Sequence, residues 1–300
     1  MQNHAITGPF EFIIGANDLE KTAHFLEAFG FDARMHVTTD ANSATVLYGD
    51  AEARHQLVLS QKETETTVRL VKTNVSASAM EAFAAGGHGI DFYTRDISAV
   101  IDDASGRGGS RPSPVSWTID TGRHLTEARI ISPDESFTVF CVSYSPGGIP
   151  TVLDAREQDT VSEVSLTSWI IPPDLIEQEF AFWSETFGFR NIRRTILDEN
   201  AMVDLMKLPH PAAMGCSMYA DERPRCPVDL LWYPGRSSPL RSDWPLQPGL
   251  FALGFKAGSP EVSARLEAGS TRVVVDNGGG ETLALLTGRS PGGIRYQVKV

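Results

Sequence analysis

The chain has 300 residues, of which 41% are hydrophobic and 21% are charged, a composition typical of a soluble globular protein with room for two domains. Its net charge of -12 argues against a nucleic-acid partner, because binding to a phosphate backbone needs clustered Lys and Arg. No apolar run approaches the roughly 18–20 residues that cross a bilayer, and no signal-peptide pattern opens the chain. We therefore predict a cytoplasmic protein with no membrane partner. The three cysteines form no Cys-x-x-Cys pair, which predicts reduced thiols.

The first part of the chain predicts a module with the element order β-α-β-β-β. An apolar strand at 10–16 leads into a helix that ends at Gly30, since glycine readily adopts the left-handed conformation that closes a helix. Three strand segments then follow, at 32–37, 44–48 and 56–60.

Three further segments repeat this order of elements. The second module is predicted to have a strand at 89–94, a helix at 96–104 and strands at 115–120, 128–132 and 137–143. The third has a strand at 163–171, a helix at 172–187 and strands at 193–198, 202–207 and 228–233. The fourth has a strand at 251–255, a helix at 260–268 and strands at 272–276, 282–286 and 295–300.

Two motifs recur in the same order in the two halves of the chain. Phe-Gly-Phe occurs at 29–31 and 187–189, and Ser-Pro-Gly-Gly-Ile at 145–149 and 290–294. Such repetition predicts duplicated units. We therefore predict an α+β fold of four modules paired into two cupped, mostly antiparallel sheets. Modules 1 and 2 would form a domain at 1–155 and modules 3 and 4 a domain at 160–300, with the polar stretch 154–162 as the linker.

This order of elements and these motifs resemble the vicinal oxygen chelate superfamily, which includes glyoxalases, bleomycin-resistance proteins and extradiol dioxygenases. The resemblance covers essentially the whole chain. It specifies fold better than chemistry, because the superfamily contains metal-dependent enzymes and metal-free binding proteins. It implies a small-molecule substrate or ligand held in the cup of a sheet. The duplication leaves both a monomer and a homodimer open.

In metal-dependent members the ligands lie at the start of the first strand and within the fourth strand of paired modules. By that pattern the resemblance implies a metal site of Glu11, Gln56 and His88. His88 matches only if its strand holds one extra residue. These oxygen and nitrogen donors suit Fe, Mn, Zn, Ni or Co, and such a divalent ion would stabilise an enediolate or enolate. Glu11 and His88 are the predicted catalytic residues, with Glu11 first in line as the base.

Four other residues are predicted to bind the substrate. Asp229 and Gln297 fall at fourth-strand positions in the second half of the chain, and Phe92 and Trp117 belong to a set of aromatic residues rich enough to line a pocket.

Three functions stay open at this point. The leading hypothesis is a lyase or isomerase that acts on an oxygenated aromatic or carbonyl compound by metal-assisted proton transfer. The alternative is a metal-free binding or resistance protein that sequesters an aromatic ligand and needs no cofactor. The third is a ring-cleaving dioxygenase with an atypical iron site. It is disfavoured because such an iron site needs two His and one carboxylate, and at most one His lies at a ligand position.

Overall fold

The computed structural model describes residues 6–61, 64–75, 83–118, 124–135, 137–145, 160–197, 199–221, 226–236, 245–276 and 282–300. Module 1 contains β1 (Ile6–Ala16), α1 (Leu19–Leu26), β2 (Phe31–Thr38), α2 (Ala41–Tyr48), β3 (His55–Gln61) and β4 (Thr67–Lys72). Module 2 contains β5 (Gly86–Thr94), α3 (Ile97–Gly106), β6 (Val115–Thr118), β7 (His124–Ile131) and β8 (Thr138–Ser145). Module 3 contains β9 (Val161–Ile170), α4 (Ile176–Ala181), β10 (Arg190–Leu197), α5 (Glu199–Met206), β11 (Met214–Ala220) and β12 (Val228–Trp232). Module 4 contains β13 (Gly249–Ala257), α6 (Pro260–Glu267), β14 (Thr271–Asp276), β15 (Thr282–Arg289) and β16 (Arg295–Lys299).

Modules 1 and 3 each carry a second helix where the sequence predicts a strand, so these two predictions were wrong. Segment 44–48 lies in α2, and most of segment 202–207 lies in α5. At the start of α2 the Asp40 carboxylate accepts a hydrogen bond from the Ser43 amide at 3.0 Å, and Gly49 ends the helix at a φ of 73°. These two caps outweigh the β-branched residues inside the helix.

The second helix of module 1 also changes which strand is the fourth. The segment that holds Gln56 is β3, the third strand of the module. The fourth strand is β4, and β11 in module 3 is likewise a strand that the sequence analysis does not predict.

In the described residues, the strands form two eight-stranded sheets. The first has the order β14-β15-β16-β13-β1-β4-β3-β2, and the second has the order β10-β11-β12-β9-β5-β8-β7-β6. Most neighbouring strands are antiparallel, including the central pairs β1 with β13 and β5 with β9. The predicted α+β architecture of two cupped, mostly antiparallel sheets is confirmed.

Each sheet combines one module from each half of the chain, which corrects the predicted pairing of modules 1 with 2 and 3 with 4. Modules 1 and 4 share the first sheet, and modules 2 and 3 share the second. The packing of the two Phe-Gly-Phe motifs favours this exchange. Phe29 stacks on Phe92 of the second sheet with ring centroids 5.1 Å apart, and Phe187 packs edge to face on Phe255 of the first sheet at 5.0 Å. Each motif thus joins its own module to the opposite sheet.

The Ser-Pro-Gly-Gly-Ile motif forms a turn where it is described. The Ser290 hydroxyl accepts a hydrogen bond from the Ile294 amide at 2.9 Å, and Gly293 has a φ of 101°, so the motif turns the chain into β16. Most of the first copy of the motif and the predicted domain boundary between 155 and 160 lie outside the described residues.

The two faces of each sheet have different roles. On one face, residues such as Phe12 of β1 and Phe92 of β5 pack with the helices in a core shared by both sheets. Side chains alternate along a strand, so Glu11 and Ile13 of β1 point to the opposite, concave face of the first sheet, and Asp91 of β5 points to that of the second. No helix in the described part of the chain is long and apolar enough to cross a membrane.

Candidate functional site

A buried ion pair lies at the centre of the first cup. Arg69 of β4 donates to Glu11 Oε1 from Nη2 at 2.6 Å and from Nε at 3.0 Å, and to Gln56 Oε1 from Nη1 at 2.7 Å. Gln56 donates in turn to the Thr39 hydroxyl at 2.6 Å. Burial alone would raise the pKa of Glu11, but the positive charges of Arg69 and Lys299 outweigh it and lower that pKa. Glu11 is therefore an ionised, paired carboxylate.

Apolar side chains occupy the concave face around this ion pair. Ala44, Leu47 and Tyr48 of α2 pack against Ile13 of β1 and Phe251 of β13. Such packing is that of a protein core. It holds Glu11 in place as part of the structure, whereas a general base must reach the proton that it removes.

The structure does not bring Glu11, Gln56 and His88 together. The first two lie on the first sheet, whereas His88 lies on β5 of the second sheet. A bulge in the pairing of β5 with β9 adds one residue at this point. His88 is 3% exposed, and its Nε2 lies 3.1 Å from the carbonyl oxygen of Ala84.

The residues at this predicted site do not fit the divalent metal that the resemblance implies. The Arg69 guanidinium already lies between Glu11 and Gln56, so a metal ion there would meet a like charge at close range. Across the described ranges of the chain, no group of three or more His, Cys, Asp or Glu side chains is arranged to hold a metal ion. The side-chain oxygens Glu11 Oε1 and Gln56 Oε1 of the first cup already accept hydrogen bonds from Arg69.

The second cup is an open cavity of about 690 Å³, counting its mouth. Helix α5 borders this cavity, as α2 covers the first cup, but it presents flexible methionines and leaves the centre open. The walls are mostly apolar and come from several elements of modules 2 and 3; they include Tyr93, Trp117, Phe140, Met202, Met206, Met214 and Met218.

Three carboxyl groups from different strands line this cavity, namely Asp91 on β5, Glu127 on β7 and Asp229 on β12. Each is at most 8% exposed. One oxygen of each accepts a hydrogen bond, from the Ser168 hydroxyl at 3.3 Å, the Trp117 indole at 3.3 Å and the Cys216 thiol at 3.0 Å respectively. Within the described residues, the other oxygen of each accepts none, and no Lys or Arg forms an ion pair with any of the three.

Burial in the cavity raises the pKa of all three carboxyl groups. It raises the pKa of Glu127 to about 7, partly opposed by the hydrogen bond from Trp117. It raises the pKa of Asp229 to about 6, although the Cys216 hydrogen bond and the charge of Arg193 lower it. Burial and the negative charges of the other two carboxylates raise the pKa of Asp91 well above its usual range. Near neutral pH, Glu127 and Asp229 titrate, and Asp91 keeps its proton to a higher pH than an exposed Asp does.

The predicted substrate-binding residues are divided between three places. Trp117 and Asp229 line the second cup. Gln297 is buried in β16 of the first sheet. Phe92 is fully buried against Phe29 in the shared core, which corrects its assignment to a pocket: its neighbour Asp91 faces the cavity, and alternation turns Phe92 away.

Asp91 and Glu127 are not among the site residues predicted from the sequence. Each is the one carboxylate in its strand, in Gly89-Ile90-Asp91-Phe92 of β5 and Leu125-Thr126-Glu127-Ala128 of β7. This pattern could have marked Asp91 and Glu127 as candidate site residues, because a charged residue is seldom placed on the buried face of a strand without a partner or a function.

Comparison with known proteins identifies the fold. No protein-family model and no curated protein sequence matches the chain. Among solved structures, glyoxalase I from Zea mays matches with a TM-score of 0.59 and 12% identity, over 97% of this chain and 91% of that one. Two single-residue variants of the same maize enzyme match with TM-scores of 0.60 and 0.58 at 12% and 11% identity, over 97% of this chain and 91% and 92% of theirs. The chain therefore has the vicinal oxygen chelate fold. At this level of identity, the likeness shows the fold alone.

Proposed function

We propose that the second cup is the active site of a small-molecule enzyme of the lyase or isomerase type, which transfers a proton with its own carboxyl groups. The observation that carries this proposal is the presence of three buried carboxyl groups, each with one oxygen that accepts no hydrogen bond from the described residues, around one apolar cavity. Perturbed carboxyl groups that converge in a cleft are typical of functional sites.

The different environments of the three groups suggest different roles. Asp229, with the lower pKa of about 6, is the base that in its ionised form removes a proton from the carbon next to a carbonyl. Glu127, with a pKa of about 7, is the acid that returns a proton. Asp91, whose pKa burial raises, is the group that in its protonated form donates a hydrogen bond to the oxygen on which negative charge develops.

Proton exchange in heavy water tests this proposal across a range of carbonyl compounds. A panel of aromatic ketones, hydroxyketones and ketoacids is incubated with the protein, and proton NMR follows the loss of the hydrogen next to the carbonyl. For a compound that exchanges, Asp229→Asn and Glu127→Gln should each slow the exchange by about 10²–10⁴-fold. The exposed, uninvolved Glu185 provides the control Glu185→Gln, which should exchange at the wild-type rate. Exchange at the wild-type rate in both site variants would overturn the proposal.

A second candidate is a binding protein that sequesters an apolar ligand without converting it. The four methionines that line the second cup favour it, because methionine adapts to ligands of varied shape. Saturable binding in this cup by compounds that never exchange a proton would support this candidate over the enzyme.

The second cup offers no support for a ring-cleaving dioxygenase. None of the histidines in the described part of the chain lines this cavity, whereas such an iron site takes two His and one carboxylate.

A further inference from the structure

The second cup has more acidic groups than basic ones among the described residues that line it. We propose that its ligand is an organic cation with an apolar, aromatic body, that is, a protonated amine or a quaternary ammonium compound. The ligand class proposed here rests on the proposed function only in requiring that the second cup binds a small molecule.

The distribution of charge around the cavity favours a cationic ligand. Asp91, Glu127 and Asp229 all line it, and Arg193 of β10 is the one basic residue among the described residues of its lining. The positive charge of Arg193 lowers the pKa of Asp229. Among the described residues, no positive charge lowers the pKa of Asp91 or of Glu127.

Arg129, Cys216 and Tyr93, which lie in or near the cup, do not supply a cation to the three carboxyl groups. Arg129, two residues beyond Glu127 on β7, donates to the Met206 carbonyl oxygen at 2.9 Å. It therefore binds the last turn of α5, and its charge is not among the causes that shift the pKa of the three carboxyl groups. Cys216 and Tyr93 also line the cavity, but neither is a cation.

The chemistry of the cavity walls also suits an organic cation with an aromatic body. Tyr93, Trp117 and Phe140 present aromatic rings to the same space as the carboxyl groups. An ammonium group is attracted both to carboxylates and to the faces of aromatic rings, more strongly where water is excluded. The surrounding methionine and leucine side chains suit the apolar body of the same ligand.

Proton release gives this inference a distinctive signature. A bound cation favours the ionised form of each nearby carboxyl group and lowers its pKa. Glu127, whose pKa of about 7 leaves it partly protonated in the free protein, then loses protons to the solvent when the cation enters. A neutral ligand of the same shape gives no such release.

Three probes of matched size test the ligand class: 2-phenylethylamine, a cation at pH 7, 2-phenylethanol, which is neutral, and 3-phenylpropionate, an anion. Calorimetric titration of the wild-type protein should show the amine binding at least 10-fold more tightly than the alcohol, with the anion weakest. Titrations of the amine in two buffers with different ionisation enthalpies should reveal protons released on binding.

Variants of the same size and shape test whether Asp91 and Glu127 cause the preference for the amine over the alcohol. Asp91→Asn together with Glu127→Gln should reduce affinity for the amine at least 10-fold and leave affinity for the alcohol within about 2-fold, whereas Glu185→Gln should change neither. Circular dichroism and the Tm confirm that each variant is folded.

The outcomes separate this inference from the function on which it rests. If the alcohol or the anion binds wild-type protein as tightly as the amine, the ligand class is wrong and the small-molecule site stands. If the amine is preferred equally by the double variant, the named carboxyl groups do not select it. If none of the three binds at millimolar concentration, the ligand class is contradicted, whereas proton exchange in the panel of carbonyl compounds tests the small-molecule site separately.

Discussion

A buried carboxylate is unfavourable unless an opposite charge or hydrogen bonds stabilise it, and the two cups stabilise theirs in different ways. In the first, Glu11 has a full ion pair with Arg69 at 2.6 Å. In the second, the hydrogen bonds that Asp91, Glu127 and Asp229 accept from the described residues come from one neutral donor each. An unpaired buried carboxyl group shifts its pKa upward so as to remain neutral. One fold has therefore produced one cup whose carboxylate has an ion pair and another whose three carboxyl groups form no ion pair with the described residues.

Removal of one member of the buried pair should destabilise the protein strongly. Arg69→Met leaves Glu11 charged and buried, and we expect a loss of about 3–5 kcal/mol in the free energy of unfolding. Arg34→Met, which breaks more exposed pairs with Glu20 and Glu27, should cost about 1 kcal/mol or less. Urea denaturation measures both. A loss from Arg69→Met no larger than that from Arg34→Met would contradict this account of the first cup.

Glu127 should make the protein less stable as the pH rises. Its pKa of about 7 in the folded state exceeds the ordinary value of 4.5, so between those pH values the folded state binds more protons and its stability falls with increasing pH. Glu127→Gln should remove up to about 3 kcal/mol of this decline between pH 5 and 8, at about 1.4 kcal/mol per pKa unit. Urea denaturation at several pH values tests this expectation, with Glu185→Gln as the control. Parallel curves for wild type and Glu127→Gln would contradict the raised pKa.

The candidate site could be predicted from the sequence only in part. Asp229 and Trp117 line the second cup, and the sequence could single them out because a position within a predicted strand and an aromatic type are local features; their role in substrate binding stays a prediction. Glu11 and Gln56 were placed in a cup, but their partner Arg69 lies on a strand that was not predicted. Whether a carboxylate is a metal ligand, a base or one half of an ion pair depends on such a neighbour, which sequence spacing does not reveal.

At the level of elements, one pair of helices distinguishes the two cups. Helix α2 fills the first cup with Leu47 and Tyr48, whereas α5 borders the open second cup with Met202 and Met206. Both helices fall where the sequence analysis predicts strands. The caps Asp40 and Gly49 were readable for α2, but eight residues between strands are too few for a clear helical period.

Truncation of the buried face of α2 should show that the first cup is a packed core. Leu47→Ala removes a side chain that is 4% exposed, and we expect a loss of about 2–5 kcal/mol in the free energy of unfolding. Val46→Ala, at a neighbouring position that is 38% exposed, should change that free energy by about 0.5 kcal/mol or less. Equal effects of the two substitutions, measured by urea denaturation, would show that α2 does not fill the cup.

At the scale of the whole molecule, the exchange of modules makes the two halves of the chain dependent on each other. The central pairs β1 with β13 and β5 with β9 each join strands from opposite halves. The repeats in the sequence predict four modules, but they do not reveal which modules pair, because all four have similar elements. The difference arises from long-range contacts such as that of Phe187 with Phe255.

Neither half should fold alone as a monomer. Fragments 1–155 and 160–300, made separately, each expose two unpaired central strand edges and lose half of the shared core, so we expect them to be unfolded or self-associated. Mixed or co-expressed, they should form a complex with the circular dichroism spectrum of the intact chain. A fragment that is monomeric by sedimentation and unfolds cooperatively on its own would contradict the exchanged pairing.

The central claim is that the second cup is the small-molecule site, and methionine methyl groups test it most directly. Four of the seven methionines, Met202, Met206, Met214 and Met218, line this cavity, whereas Met35 is an exposed residue of the first sheet. The protein is labelled with methyl-¹³C methionine and titrated with 2-phenylethylamine. The account predicts saturable shifts of the four methyl signals while that of Met35 stays unchanged. Saturable shifts confined to other methionines, or no saturable shift at all, would contradict it.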